Sequence, residues 1–458
     1  MMKFSFFYKK FLGPQFILIF VALSLVPEVV LSKQDHFINP FLVYYGGGRH
    51  FKIDDFDTLK KFDVLILDRF RYKEKQNTWK KLKSRNREQK IFLYQLGPEI
   101  STKKDHYRAF YLNNIGRFDV SRGHSMGNVN NNNEEFFLLD RSGNRIFRQQ
   151  YPDDYLLDFG NPEFSRYWLE ATVRDIVDRA WVADGVMMDN GLTYYVRQTK
   201  WHQLHQPKKY SSALEWDEAM NGFIRAASVG LRSKGQLLIV NRGNSRHKGP
   251  IEAWVALDEG PAPPEYVFEE GAFAASWGQG SVQFWPVSQW ERQIKLPSLI
   301  NNSGVALLGH TDLFPGESGV DSLGNKVDFE QVFFYALGSY LLAKRSDTPK
   351  TLFSFDYGRS EGAYKRISWF EVYQALDFGE AISSYQRLPS ERNIYYREFE
   401  GGYVYVNPSK VLTVVEELPK NSTRLLLDLE GNSQLLESNA FTLGAHSSAF
   451  FIKSKVGK

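Results

Sequence analysis

The chain of 458 residues contains no cysteine. Disulfide cross-links, thiolate metal sites and lipidated cysteines are therefore excluded together. A large excess of charge is also missing, because the formal net charge is only +4 at pH 7. The Lys and Arg residues are scattered and form no stripe that could follow a phosphate backbone. We therefore expect no nucleic-acid partner.

The first 32 residues resemble a secretory signal peptide. Three lysines precede an apolar run over residues 16–26, and Val30-Leu31-Ser32 follows it. The run is too short for a stable bilayer span. We expect residues 1–32 to be removed, which would leave a secreted or periplasmic protein with no membrane span. We also expect the protein to be a monomer. An uncleaved membrane anchor is the alternative.

The remaining chain is long and apolar enough to bury a large core. Hydrophobic residues make up 43% of the sequence and aromatic residues 15%. Most of the aromatic side chains should pack inside the protein, although exposed rings could stack on sugars. The length indicates one large barrel with an additional small domain.

Eight short apolar stretches, mostly alternating with stretches of helical periodicity, each end on a polar residue. The residues at these ends are Tyr45, Asp68, Gln95, Asp189, Asn241, Glu270, His310 and Asp356. This order is typical of an α/β protein with a (β/α)8 TIM barrel, in which polar strand ends form one rim. A doubly wound sheet is the alternative, but it normally has fewer strands and a glycine-rich phosphate turn. We assign residues 33–380 to the barrel.

Two parts of the chain depart from this alternation. Between about residues 100 and 155 lies an insertion, in which Phe136 to Phe147 predicts a hairpin around Ser142-Gly143-Asn144. Long insertions of this kind usually lie on the functional rim. Beyond residue 380 the helical period disappears, and short strands separated by turn signals predict a small antiparallel, β-sandwich-like domain over residues 381–458.

Residues 181–190 are the most informative stretch for function. A helix with Asn161 as N-cap and Pro162 in its first position leads into it. Asp184 precedes a short apolar strand and should cap or turn it. Asp189 ends the strand, and catalytic groups of TIM barrels lie at the carboxyl ends of the strands. Asp189 is therefore the first candidate for catalysis, with a structural acid as the alternative.

A second acid points to a type of reaction. Glycosidic bond cleavage uses one carboxylate at the anomeric carbon and one carboxylic acid that protonates the leaving oxygen. Asp189 and Glu270 end the fourth and sixth predicted strands and could face each other across the barrel mouth. Successive strand residues point to opposite sides, so only Glu269 or Glu270 should face the site. We favour Glu270 and keep Glu269 as a candidate.

Other residues at the predicted rim could bind sugar hydroxyls or stack on a sugar ring. They are Tyr45, Asp68, Asn190, Asn241, Trp277, His310 and Asp356. For the polar residues the alternative is capping of a strand end, and for Trp277 it is packing in the interior.

Two further motifs suggest other chemistry. Gly123-His124-Ser125-Met126-Gly127 matches the serine-hydrolase pentapeptide, but an Asn-rich loop follows it where that motif requires a helix. A serine esterase that uses Ser125 remains an alternative. His202 and His205 form the only close histidine pair, with no strand-end carboxylate nearby in sequence. We therefore expect neither a metal nor a cofactor.

Four motifs together make the sequence similar to hypothetical glycoside hydrolase family 15, and more broadly to TIM-barrel glycosidases related to α-galactosidases and α-amylases. The motifs are Asp158-Phe159-Gly160-Asn161-Pro162, Asp184-Gly185-Val186-Met187-Met188-Asp189-Asn190, Phe268-Glu269-Glu270-Gly271 and Val404-Tyr405-Val406-Asn407-Pro408.

The resemblance covers most of the chain after residue 32. It implies hydrolysis of a polysaccharide or oligosaccharide, with Asp189 as nucleophile or base and Glu270 as proton donor. The alternative is a non-catalytic carbohydrate-binding barrel of an envelope or exopolysaccharide system.

Overall fold

The computed structural model describes most of the chain beyond residue 36. The described ranges are 37–44, 56–67, 76–101, 134–148, 151–176, 182–193, 207–243, 245–275, 281–300, 304–313, 318–321, 323–345, 351–357, 367–391, 393–416, 421–437 and 440–454. The predicted signal peptide, Tyr45, Asp68, Ser125, the His202–His205 pair and Trp277 lie outside these ranges.

Eight parallel strands of the described residues form one sheet in chain order. They are β1 Phe41–Tyr44, β2 Val64–Leu67, β3 Lys90–Leu96, β4 Gly185–Asp189, β5 Leu237–Asn241, β6 Tyr266–Glu270, β7 Ala306–Leu313 and β8 Leu352–Tyr357. The amide of Phe353 donates to the carbonyl of Asn39 at 2.9 Å, which joins β8 to the start of β1. The nearly closed sheet fits a TIM barrel. A doubly wound sheet does not fit, because the strand order never reverses.

One helix follows each of these strands within the described part of the chain. The helices are α1 Phe56–Leu59, α2 Gln76–Arg85, α3 Pro162–Ile176, α4 Ala213–Arg232, α5 Lys248–Glu259, α6 Val287–Leu299, α7 Phe329–Ala343 and α8 Val372–Ala375. The predicted start of α3 is confirmed, since the Asn161 side chain accepts from the Glu163 amide at 2.9 Å. Helix α5 was not expected from the sequence, since its first turn contains Gly249 and Pro250.

Side chains from all eight strands fill the barrel interior. They are Phe41, Val43, Val64, Ile66, Phe92, Tyr94, Leu96, Met187, Ile239, Phe268, Ala306, Leu308 and Leu352. Because strand residues alternate between the two faces, Asp189, Asn241, Glu270 and His310 lie on the same inner face as these residues. The apolar interior thus ends, at the carboxyl side of the strands, in a layer of polar groups.

The insertion after β3 contains the predicted hairpin. The carboxylate of Asp140 accepts from the Asn144 amide at 2.8 Å, and Gly143 adopts a φ of 84° in the turn. A three-stranded antiparallel sheet of Glu99–Ser101, Phe147–Arg148 and Tyr151–Leu156 accompanies it. The described part of the insertion is therefore folded beside the ends of β3 and β4.

The C-terminal part is antiparallel, as predicted. Six strands form one sheet: Gln386–Arg387, Tyr395–Glu398, Gly402–Asn407, Ser422–Leu427, Ser433–Leu436 and Ser447–Lys453. One face packs on α7, where the ring of Phe450 contacts that of Phe334. The other face packs on the two-stranded ladder of Thr413–Val415 and Phe441–Leu443. The covering sheet explains why α7 is buried on nearly every side.

A second, four-stranded sheet was not expected from the sequence. Its strands are Ala274–Ala275, Ser281–Phe284, Ser318–Asp321 and Lys326–Asp328, which follow β6 and β7. Their shortness removes the periodicity on which strand prediction depends. In the described part of the chain, no helix combines the length and apolarity needed to cross a membrane.

Asp184 stabilises the amino-terminal end of β4, opposite the barrel mouth. Its carboxylate accepts from Lys83 Nζ at 2.9 Å and from the Ile91 amide at 2.8 Å. It therefore ties β4 to α2 and β3 at the end of the barrel that mainly serves stability.

Replacing Asp184 with Ala should lower the free energy of unfolding by about 1–3 kcal/mol, because the partly buried Ile91 amide loses its acceptor. Urea unfolding followed by circular dichroism measures the change. Asp57→Ala is the control, since Asp57 pairs with Lys60 at the surface, and it should leave the transition in place. Equal effects of the two substitutions would contradict the assignment.

Candidate active site

The carboxyl ends of β4, β5 and β6 bring two carboxylates to one amide. Asn241 Nδ2 lies 2.9 Å from Asp189 Oδ1 and 3.3 Å from Glu270 Oε2. These two carboxylate oxygens are therefore at most about 6 Å apart. The residues are distant in sequence, but β4 and β6 both pair with β5, which places their ends on either side of Asn241.

Asp189 is buried and held by three donors. Its Oδ1 accepts from Asn241 and from the backbone amide of Asn190 at 2.9 Å. Its Oδ2 accepts from the hydroxyl of Tyr94 at 2.5 Å. Only 6% of Asp189 is exposed, whereas Glu270 is half-buried. The first carboxylate is thus fixed in place, and the second has more access to solvent.

The chain turns sharply just after each of these three strands. Asn190, Gly243 and Gly271 have φ values of 61°, 52° and 77°. A positive φ is costly for a residue other than glycine, so its persistence at Asn190 requires support from the surroundings. The Asn190 side chain donates to Glu99 Oε2 at 2.8 Å, which ties it to the insertion. The described contact of the Asn190 side chain is therefore with Glu99. Sugar binding by Asn190 stays a prediction.

The backbone around Asp189 is held from three sides. The Gly97 amide donates to the Asp189 carbonyl at 2.8 Å, and a Cβ at Gly97 would lie 2.6 Å from that oxygen. Beyond the strand, Arg242 Nη1 donates to the Gly191 carbonyl at 3.2 Å. Trp216 Nε1 donates to the Leu192 carbonyl at 3.0 Å. These bonds fix the direction in which Asp189 leaves β4.

Glu269 faces away from the barrel interior. Its carboxylate accepts from the Ser245 amide at 3.1 Å and from Gln293 Nε2 at 3.3 Å. Burial raises the pKa of Glu269 to about 7, and the charge of Arg246 opposes this rise. Glu269 therefore joins the loop after β5 to α6 behind the mouth, and Glu270 is the member of the pair on the inner face.

Trp285 and Arg246 hold the turn after Glu270. Trp285 Nε1 donates to the Gly271 carbonyl at 2.9 Å, and the Arg246 guanidinium lies 4.0 Å from the centre of the Trp285 ring. Both side chains are buried. The amide of Gly271 also donates to the His310 carbonyl at 2.9 Å. The indole of Trp285 thus supports the rim and presents little surface to a ligand.

Three strand-end residues take positions that the sequence only partly predicted. His310 lies within β7, which continues to Leu313, and it is fully buried against Phe268 with a ring-centre distance of 5.7 Å. Asp356 accepts from Ser368 Oγ at 3.0 Å. Gln95 was the wrong residue for the rim of β3. It lies on the outer face and is buried, while the inner-face residue beside Asp189 is Tyr94.

The place of Tyr94 on the inner face could have been predicted from the sequence. It stands two residues after Phe92 in an apolar strand, so the alternation already placed it on the same face. Its hydroxyl required a polar partner once the ring was buried. That partner could be named only when β4 was placed next to β3.

The motif that begins at Asp158 joins the insertion to α4. The carboxylate of Asp158 accepts from Lys209 Nζ at 2.5 Å and from the hydroxyl of Tyr210. The Tyr210 ring stacks on Phe159 with a ring-centre distance of 4.8 Å. The motif is therefore structural in its described contacts.

A sequence model of hypothetical glycosyl hydrolase family 15 matches residues 83–403. This match covers well over half of the chain. The protein belongs to this family. The matched residues include Tyr94, Asp189, Asn241 and Glu270, so the family assignment and the carboxylate pair refer to the same part of the molecule.

Distant similarities to solved structures accompany this assignment. The family 15 chain is similar to a GH20 exo-β-N-acetylglucosaminidase from Vibrio harveyi, with 10% identity and a TM-score of 0.37 over 71% of this chain and 50% of that one. It is similar to the catalytic domain of a β-amylase from Paenibacillus polymyxa, with 11% identity and a TM-score of 0.37 over 70% and 92%. It is also similar to a GH18 chitinase from Pseudoalteromonas aurantia, with 10% identity and a TM-score of 0.33 over 72% and 97%.

The family 15 chain thus spans half the length of the Vibrio harveyi enzyme. Similarities this distant carry no argument about activity or substrate. Among curated proteins, no sequence matches the chain.

The buried carboxyl group of Glu269 should make stability depend on pH. The folded protein binds the Glu269 proton more strongly than the unfolded chain does, because the pKa of this group is about 7 when folded and about 4.5 when unfolded. The stability contributed by this proton is therefore complete below pH about 4.5 and is lost as the pH rises through about 7. Relative to Glu269→Gln, the wild type should lose stability across this interval.

Urea unfolding midpoints at pH values from 4 to 8 test this expectation. Because the substituted protein lacks the titrating group, the difference between the two midpoints should change with pH. Parallel curves for the two proteins would show that Glu269 is not the group responsible.

Proposed function

We propose that the protein is a glycoside hydrolase that cleaves a polysaccharide or oligosaccharide at the mouth of its barrel, with Asp189 and Glu270 as the two carboxylates. The observation that carries this proposal is the contact of Asn241 Nδ2 with both acids. Two carboxyl groups at this spacing on the inner face can lie on either side of one glycosidic bond. Family membership supports the same class of reaction.

The surroundings of the two acids assign them different roles. Asp189 has its charge balanced by donors from Tyr94, Asn190 and Asn241, which suits a carboxylate that attacks or stabilises the anomeric carbon. Glu270 is half-buried, and a proton donor must exchange its proton with water after each turnover. We therefore assign Glu270 as the acid that protonates the leaving oxygen.

Asn241 has a positioning role in this proposal. Its Nδ2 contacts one oxygen of each acid, so it fixes the spacing between them. A sugar hydroxyl near the anomeric carbon could replace one of its two contacts when substrate binds.

Export and a monomeric state belong to the same proposal. The signal-peptide pattern of residues 1–32 supports export, which would bring the enzyme to polysaccharides outside the cytoplasm. Cell fractionation of the full chain, with detection of the mature protein, tests this part separately from activity.

Asp189→Asn and Glu270→Gln should each reduce hydrolysis by about 10²-fold or more, because each removes a group required in the transition state. The assay is reducing-end release from a panel of bacterial and plant polysaccharides. Asp184→Asn, at the opposite end of β4, and Glu269→Gln, on the outer face of β6, are matched controls that should retain activity. If both active-site variants remained active on a substrate cleaved by the wild type, the proposal would be wrong.

A wild type that binds a polysaccharide without releasing reducing ends would instead support a non-catalytic binding barrel. Binding to the same panel, measured by affinity electrophoresis, distinguishes that outcome from a protein with no affinity for glycans.

The spacing of the acids also predicts the stereochemistry of the product. Inverting glycosidases hold their carboxyl groups about 6.5–9.5 Å apart and retaining ones about 5–5.5 Å apart. With nearest oxygens at most about 6 Å apart, we expect retention of the anomeric configuration. Proton NMR of the first product formed from the identified substrate measures it, and an inverted first product would contradict the expectation.

A further inference from the structure

Tyr94 connects the third barrel strand to the candidate nucleophile. Its ring is fully buried in the barrel interior, and its hydroxyl donates to Asp189 Oδ2 at 2.5 Å. The hydrogen bonds therefore run from Glu270 through Asn241 and Asp189 to Tyr94. This row crosses the mouth from β6 to β3, with one residue from each of four neighbouring strands.

The two oxygens of Asp189 have different environments. Oδ1 accepts two hydrogen bonds, from the Asn190 amide and from Asn241 Nδ2. Oδ2 accepts from Tyr94, its one donor among the described residues. A carboxylate oxygen has two lone pairs, so among the described contacts both lone pairs of Oδ1 are engaged and one lone pair of Oδ2 is left for a bond to carbon.

We propose that Tyr94 is a positioning residue that holds Asp189 Oδ2 in the orientation required for attack on the anomeric carbon. This inference rests on the proposed glycoside hydrolase function. Tyr94 acts through Asp189 and keeps its own proton throughout the reaction.

Each step assigns one task to Tyr94. In the first step Oδ2 bonds to the anomeric carbon, the bond from that carbon to the leaving oxygen breaks, and Glu270 gives its proton to that oxygen. The Tyr94 hydrogen bond weakens as Asp189 becomes a neutral ester. In the second step Glu270 takes a proton from water, the water oxygen bonds to the anomeric carbon, and Asp189 leaves as a carboxylate. Tyr94 then donates to the charge that returns to Oδ2.

The barrel contains a matched control for this inference. Tyr266 packs against the same interior, with its ring centre 5.5 Å from that of Phe92. Tyr266 is the first residue of β6, so it lies at the amino-terminal end of the barrel, opposite the strand ends that carry Asp189 and Glu270. Removing the Tyr266 hydroxyl therefore makes the same chemical change far from Asp189.

The first test compares Tyr94→Phe with Tyr266→Phe on the polysaccharide identified for the wild type. A misplacement of a reacting group by about 1 Å can lower the rate by about 10²-fold. We expect kcat of Tyr94→Phe to fall by about 10- to 100-fold with KM within about threefold of the wild-type value. Tyr266→Phe should keep its kcat. Unchanged kcat in Tyr94→Phe, or an equal loss in both variants, would overturn the inference.

An activated substrate separates Tyr94 from the proton donor. With a 2,4-dinitrophenyl glycoside of the released sugar, the leaving group needs no protonation, so the first step of Glu270→Gln should recover. The first step of Tyr94→Phe should stay slow, because attack by Asp189 is still required. Recovery of both variants would contradict a role at Asp189.

Crystal structures provide a test that does not require turnover. In Tyr94→Phe the Asp189 carboxylate should rotate or show two orientations, whereas in Tyr266→Phe it should keep the wild-type orientation. An Asp189 carboxylate that keeps its orientation in Tyr94→Phe would overturn the inference, whether or not the wild type hydrolyses a polysaccharide. Absence of hydrolysis by the wild type would instead refute the proposed function.

Discussion

The side-chain amide of Asn241 fixes the positions of the two acidic groups at the mouth of the barrel. Asn241 Nδ2 contacts Asp189 at 2.9 Å and Glu270 at 3.3 Å, so the spacing of the acids is set by the position of β5 between β4 and β6. Two acidic groups in a partly buried site each need hydrogen-bond partners, and Asn241 serves both. The remaining features of the rim can be understood as means of keeping these three side chains in place.

The support comes from backbone geometry as much as from side chains. Residues with positive φ follow each of the three strands and turn the chain away, so the final inner-face side chain stays in the mouth. Buried groups hold the turns after β4 and β6: Glu99 holds Asn190, Arg242 holds Gly191 and Trp285 holds Gly271. Glu99, at the start of the insertion after β3, thus supports the residue next to Asp189.

Local rules predicted a large part of the fold. The alternation of apolar strands and helices identified the barrel, and the N-cap at Asn161 located the start of α3. The same rules missed α5, whose first turn contains Gly249 and Pro250, and the short strands after β6 and β7. Those elements have weak or interrupted periodicity, and long-range pairing stabilises the strands.

At the candidate site, the sequence by itself determined that β4 and β6 end on acidic residues, because a change from apolar to acidic residues is visible without any partner. It identified Asp189 and Glu270 in this way. The period of two allowed only one of Glu269 and Glu270 on the inner face, and the place of Glu270 nearest the strand exit favoured it. Only the tertiary structure decided that Asn241 contacts both acids, that Tyr94 contacts Asp189, and that burial raises the pKa of Glu269 to about 7. The physical reason is that these properties depend on distances between neighbouring strands, which are set by the closure and register of the barrel and leave no pattern along the chain.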